Sequence, residues 1–81
     1  MIIKIYSKPN CAFCVKAIEL ANEQAAKDSS IEVIVLKLND DFDSPTMRMI
    51  FPEAKTYPQI IIDGMKIGGY QEFLEEIRIS A

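Results

Sequence analysis

Lys8-Pro9-Asn10-Cys11-Ala12-Phe13-Cys14 holds both cysteines of the chain. The β-branched and aromatic run Ile2-Ile3-Lys4-Ile5-Tyr6 ends just before it, and a helical pattern begins inside it. A C-x-x-C at a strand-to-helix junction reads as a redox dithiol. The reason is spacing: residues three apart on a helix share one face, so Cys14 can reach back to Cys11 and close a disulfide. Cys11 is expected in the first helical turn, where unpaired N–H groups and the positive end of the helix dipole favour a thiolate. The thiolate, not the thiol, attacks in disulfide exchange.

Other readings of the pair are weaker. A structural zinc site needs four Cys or His ligands, and this chain has two Cys and no His. A purely structural disulfide across so short a loop would constrain the unfolded chain little. An inert core role stays open for Cys14, on the apolar helix face. It fits Cys11 poorly, because Lys8 and Asn10 precede it near the helix start.

The 81 residues are expected to form one small domain, 1–81, with a core near the lower limit for unaided stability. Charge is mildly acidic, with 9 Lys and Arg against 12 Asp and Glu. No basic block or basic–aromatic interleaving points to nucleic acid. No apolar run is long enough to span a bilayer. Met1 leads straight into the strand pattern, so no signal peptide is expected. The expected compartment is therefore a reducing cytoplasm, where cysteine pairs are more often catalytic than structural.

From Ala12 to about Asp28 the pattern is helical, with Cys14, Ala17, Ile18, Ala21 and Ala25 on one face. Ile31 to Leu38 is a nearly continuous apolar run and predicts a strand buried on both faces. Strand, helix and strand at this spacing predict a βαβ unit with parallel strands. Asn39 to Asp43 reads as a solvated acidic loop. Ser44 then serves as N-cap, with Pro45 in the first helical position of a short helix to about Phe51. Tyr57 to Ile62 is a third strand with Pro58 at its entry. Asp63-Gly64 is a hairpin signal, and Met65 to Ile67 is the returning strand. After Gly68-Gly69 comes a last helix with Tyr70, Phe73, Leu74 and Ile77 on one face.

The order βαβ-α-ββ-α predicts an α/β chain with a minimal thioredoxin-like fold: a four-stranded mixed sheet flanked by three helices. Three pieces together resemble the glutaredoxins over essentially the whole chain: Cys11-Ala12-Phe13-Cys14, Thr56-Tyr57-Pro58-Gln59-Ile60 and Ile67-Gly68-Gly69-Tyr70. The stretch Phe51 to Pro58 looks most like small bacterial or bacteriophage dithiol members. The resemblance implies a glutathione-dependent thiol–disulfide oxidoreductase, with Cys11 as nucleophile and Cys14 as resolving thiol. It implies a cis peptide before Pro58. It implies a glutathione groove in which the backbone of Tyr57, within Thr56-Tyr57-Pro58, pairs with the cysteinyl unit in the manner of an added strand. Lys8 and Lys55 sit at positions resembling those that receive the glycyl carboxylate, with Arg48 a weaker candidate. Gly68-Gly69 before a helix suits the γ-glutamyl carboxylate, and Gln71 and Glu72 match positions that contact the γ-glutamyl amine and carboxylate. Phe13 and Tyr70 are expected to line the groove, unless Tyr70 is core.

Glutathione is the implied co-substrate, with no metal. The implied partners are disulfide-containing or glutathionylated proteins, ribonucleotide reductase among them, met by a monomer. Two alternatives remain at this level: a thioredoxin-like reductant recharged by a flavoprotein, and a dimer bridging an iron–sulfur cluster through Cys11 and glutathione. Two residues depart from the family pattern: Ala12 stands where many dithiol relatives have proline, and Phe13 where tyrosine is usual. Ala12 is expected to add an N–H donor near the Cys11 sulfur, since proline has none.

Overall fold

A computed structural model describes residues 1–80, so Ala81, the last residue of the expected 1–81 domain, lies outside the described residues. The elements follow in the expected order: β1 (Ile2–Ser7), α1 (Ala12–Lys27), β2 (Glu32–Lys37), α2 (Ser44–Ile50), β3 (Gln59–Ile62), β4 (Met65–Gly68) and α3 (Tyr70–Ser80). The sheet runs β2-β1-β3-β4. The β1–β2 pair is parallel, while β1–β3 and β3–β4 are antiparallel. This is the thioredoxin-like arrangement that the strand and helix signals predicted.

Period-two alternation sorts the sheet residues into two cores. Ile3 and Ile5 of β1 join Ile60 and Ile62 of β3 beneath Ala17 and Ala21 of α1 and Phe73 of α3. Tyr6 and Ile61 face the other way, against Met47 and Phe51 at the α2 end. Each core closes one side of β1, from whose end the segment toward α1 departs. That segment carries the cysteines.

Two local expectations need correction. The apolar run of β2 is not buried on both faces: Val33 to Leu36 are half-buried, because β2 is an edge strand. Asp43, not Ser44, caps α2. Its carboxylate accepts the Thr46 N–H at 2.9 Å, which moves Ser44 into the helix. Hydrogen bonding from the Thr46 side chain first, and from its N–H second, holds the Asp43 carboxyl below its usual pKa. The acidic loop is exposed at Asn39, Asp40, Asp41 and Asp43 as expected; Asp41 there also accepts the Lys37 N–H at 2.8 Å, and Leu38 bridges Phe42. Short acidic side chains there satisfy backbone donors that the end of β2 leaves free. The hairpin signal holds: Asp63 and Gly64 take φ of 49° and 83°, as a tight two-residue hairpin requires. Asp63 also accepts the Ile2 N–H at 2.7 Å, tying that turn to the start of β1.

Candidate active site

The turn out of β1 passes through Asn10 at φ 55°, a left-handed conformation that asparagine tolerates. It delivers Cys11 to the N-cap of α1 in extended conformation, φ −125° and ψ 102°. The Cys11 sulfur then does what a serine oxygen usually does at a helix start: it accepts the Cys14 N–H at 3.2 Å. Cys11 is thus one position earlier than expected, outside the first turn. The donor on its sulfur is the Cys14 amide, not the Ala12 amide that the sequence pointed to. A donor aimed at the Cys11 sulfur stabilises the thiolate that forms there when Cys11 is the leaving sulfur of a mixed disulfide.

Cys11 and Cys14 are joined as a disulfide with Cα atoms 5.2 Å apart, an ordinary separation for such a bond. Cys14 is only 2% exposed while Cys11 is half-buried. An incoming thiol therefore meets the Cys11 sulfur first. The asymmetry follows from the helix: Cys14 shares the apolar face with Ala17 and Ala21, and Cys11 stands at its open end.

The Tyr57–Pro58 peptide is cis, with Pro58 buried. The Tyr57 carbonyl oxygen lies 3.7 Å from the Cys11 sulfur. Gln59 pins the preceding loop by donating from Nε2 to the Thr56 carbonyl at 2.9 Å. Between this loop and the start of α3 lies a groove of about 300 Å³. It is lined by Phe13, Thr56, Tyr57, Pro58, Gly69, Tyr70, Gln71 and Glu72. The Phe13 and Tyr70 rings face each other at one end, 5.9 Å apart, which settles Tyr70 as groove wall that also packs on the core.

Lys8 lies outside this lining, but its ammonium sits 5.4 Å from the Tyr57 ring centroid, at the groove margin. Lys55 is exposed and next in sequence to Thr56, yet it lines no part of the groove. Arg48, in the last turn of α2, is not brought there either. The Gly69 N–H, offered by the sequence as a carboxylate site, is taken by Glu72 Oε1 at 2.8 Å.

Phe42 was not among the residues expected at the site; it stacks on Tyr57 at 6.4 Å and on Tyr6 edge-to-face at 5.2 Å. It braces the ring behind the carbonyl that faces Cys11. Its signal was an aromatic side chain in an otherwise acidic loop. A second cavity, about 340 Å³, meets the cysteine pair from the β2 end and includes Val15, Ile18 and Leu38. That too was missed, because it forms only when the loop after β2 folds beside α1. Among the described residues, no group of three or more Cys, His, Asp or Glu is placed to hold a metal, and no helix is long and apolar enough to cross a membrane.

The family model described as Glutaredoxin matches residues 3–67, well over half of the chain. This chain belongs to the glutaredoxin family. With Cys11 and Cys14 joined at the N-terminus of α1, it is a thiol–disulfide oxidoreductase. A glutaredoxin of Vibrio cholerae is 31% identical over 75 residues, covering 90% of this chain and 86% of the relative. Among solved structures, reduced Escherichia coli glutaredoxin superposes with a TM-score of 0.86 at 22% identity, covering 100% of both chains. A buckwheat glutaredoxin–glutathione complex gives a TM-score of 0.76 at 21% identity, covering 96% of this chain and 69% of that one. Both structures share the fold.

Proposed function

We propose that this glutaredoxin is glutathione-dependent, acting through residues 1–81 as one monomeric unit in the cytoplasm. The observation that carries the reading is the groove: it runs from Phe13 and Tyr70 past Tyr57–Pro58, with the Tyr57 carbonyl 3.7 Å from the Cys11 sulfur. A cysteinyl unit laid along Thr56–Pro58 can bond the Tyr57 backbone as an added strand does, its sulfur then facing Cys11. The buckwheat relative was solved as a complex with glutathione. Lys8 at the margin and Lys55 beside Thr56 supply charge for the glycyl carboxylate, and the first turn of α3 faces the γ-glutamyl end.

In the oxidised protein, a glutathione thiolate attacks the Cys11 sulfur. The Cys11–Cys14 bond breaks, and the electron pair and a proton end on Cys14. A second glutathione thiolate attacks the glutathione sulfur of the mixed disulfide, releasing glutathione disulfide and the Cys11 thiolate. In the forward direction the Cys11 thiolate attacks a disulfide of a protein, or a glutathionylated thiol. Cys14 or glutathione then resolves the mixed disulfide. Disulfide-bearing proteins are the proposed recipients, ribonucleotide reductase among them.

Turnover of a mixed-disulfide substrate with glutathione and glutathione reductase, set against thioredoxin reductase alone, tests this directly. The proposal expects the glutathione system to sustain turnover and the flavoprotein not to. The reverse result would make the protein a thioredoxin-like reductant.

A further inference from the structure

Two concave surfaces adjoin the turn that carries the cysteines, and their linings share no residue. The groove along Thr56 to Pro58 is the glutathione surface proposed above. The other, of about 340 Å³, is walled by Cys11 and Cys14 and floored by Pro9, Val15, Ile18 and Leu38. Val15 follows Cys11 by one turn, its N–H bonded to the Cys11 carbonyl at 3.2 Å, and Ile18 follows by another. Residues at this spacing share a helix face, so the apolar floor begins directly at Cys11. Leu38 closes it from the loop after β2. Val15 is 54% exposed, which leaves a branched apolar side chain facing water one turn from the disulfide. Lys8, Lys37 and Asp40, all exposed, bring both signs of charge to the margin. What sets this surface apart is therefore its apolar floor.

We propose that this cavity receives an apolar side chain flanking the cysteine of a disulfide-bearing polypeptide, with Val15 and Leu38 as specificity-determining residues. The occupant follows from covalency. A polypeptide joined to Cys11 in a mixed disulfide has its own cysteine on that sulfur, so its neighbouring residues lie over the surfaces that adjoin Cys11. An apolar neighbour reaching the cavity takes its own surface and that of Val15 out of water. In the reduced protein, the Cys11 thiolate attacks one sulfur of the substrate disulfide. Half of the substrate leaves as a thiolate, which takes up a proton. Cys14, having lost its proton, attacks the Cys11 sulfur and releases the other half in the same way. Two substrate thiols and the Cys11–Cys14 disulfide result. An apolar neighbour speeds the first of these steps by holding the substrate at Cys11.

Two symmetric peptide disulfides test this, one built from acetyl-Leu-Cys-Leu-amide and one from acetyl-Ser-Cys-Ser-amide. Each is reduced in a single turnover by the fully reduced protein. Each rate is divided by the rate with dithiothreitol, which removes differences between the peptides themselves. The leucine peptide is expected to react about tenfold faster than the serine peptide, from partial burial of one leucine. That ratio is expected to fall to about threefold in Val15→Ala and to recover in Val15→Ile. Alanine is a good helix former at this exposed position, so Val15→Ala keeps the fold. A ratio near one in the wild type, or a ratio that both Val15→Ala and Leu38→Ala leave in place, overturns the proposal. Equal slowing of both peptides in those variants also overturns it, because that marks a structural role. No glutathione takes part, so failure of the glutathione reading would leave this result readable.

Discussion

Replacing Ala12 with proline should leave the fold intact and raise its stability slightly. Ala12 is the first helical residue, directly after the Cys11 cap. The N–H at that position has no intrahelical partner, so proline removes no helical bond there. The two bonds that organise the turn are Cys14 N–H to the Cys11 sulfur, 3.2 Å, and Val15 N–H to the Cys11 carbonyl, 3.2 Å. Neither uses Ala12. The residue before a proline must be extended, and Cys11 already is, at φ −125° and ψ 102°. What remains is the lower entropy of the unfolded chain, about 0.4–1 kcal/mol in favour of the fold. For a domain of this size that is a rise in Tm of about 2–8 °C. Thermal unfolding of the oxidised wild type and Ala12→Pro, followed by circular dichroism, measures it. A fall of about 4 °C or more would mean that the Ala12 amide holds a bond the account leaves out.

Other perturbations reach different parts of the molecule. Phe73 is fully buried between α3 and the sheet, so Phe73→Ala should cost about 3–5 kcal/mol in urea unfolding. A loss below about 1 kcal/mol would mean that α3 is not docked there. The Asp43 carboxyl is held low mainly by its hydrogen bond from Thr46. A depressed carboxylate stabilises the fold above its unfolded value, near 3.8, and the benefit disappears as pH falls through the folded value. Asp43→Ala should therefore lower Tm at neutral pH and lose its effect in strong acid. An equal deficit at both would remove the carboxylate cap from the account. Phe42→Ala withdraws the ring behind Tyr57 and should weaken S-methylglutathione binding more than it changes the reactivity of Cys11 toward a small alkylating reagent. Equal losses in both would place Phe42 in overall packing only.

How far the sequence reaches depends on the range of the physics involved. The order of elements was legible because Ile2–Tyr6, the α1 face and the Asp63–Gly64 turn are local patterns, each with its own period or backbone demand. The cysteine pair was legible for the same reason. The edge position of β2 was not, since an apolar run reads alike whether one neighbour or two flank it. The shift of the α2 cap from Ser44 to Asp43 turned on which of two adjacent acceptors meets the Thr46 amide. The groove was legible through family resemblance at Thr56-Tyr57-Pro58 and Gly69. Its bracing by Phe42 was not, because it depends on side chains packing across elements far apart in the chain.

In the proposed function Cys11, and not Cys14, exchanges with glutathione from this groove. The most direct test is deglutathionylation of a glutathionylated peptide by Cys11→Ser and Cys14→Ser variants, with glutathione and glutathione reductase. Reducing a protein disulfide by the dithiol route needs both sulfurs, whereas a second glutathione can resolve a Cys11–glutathione mixed disulfide. Cys11→Ser is expected to have no activity, and Cys14→Ser to keep or raise it, since it can no longer form the Cys11–Cys14 bond. A natively folded Cys14→Ser variant that is inactive toward the glutathionylated peptide would contradict that expectation.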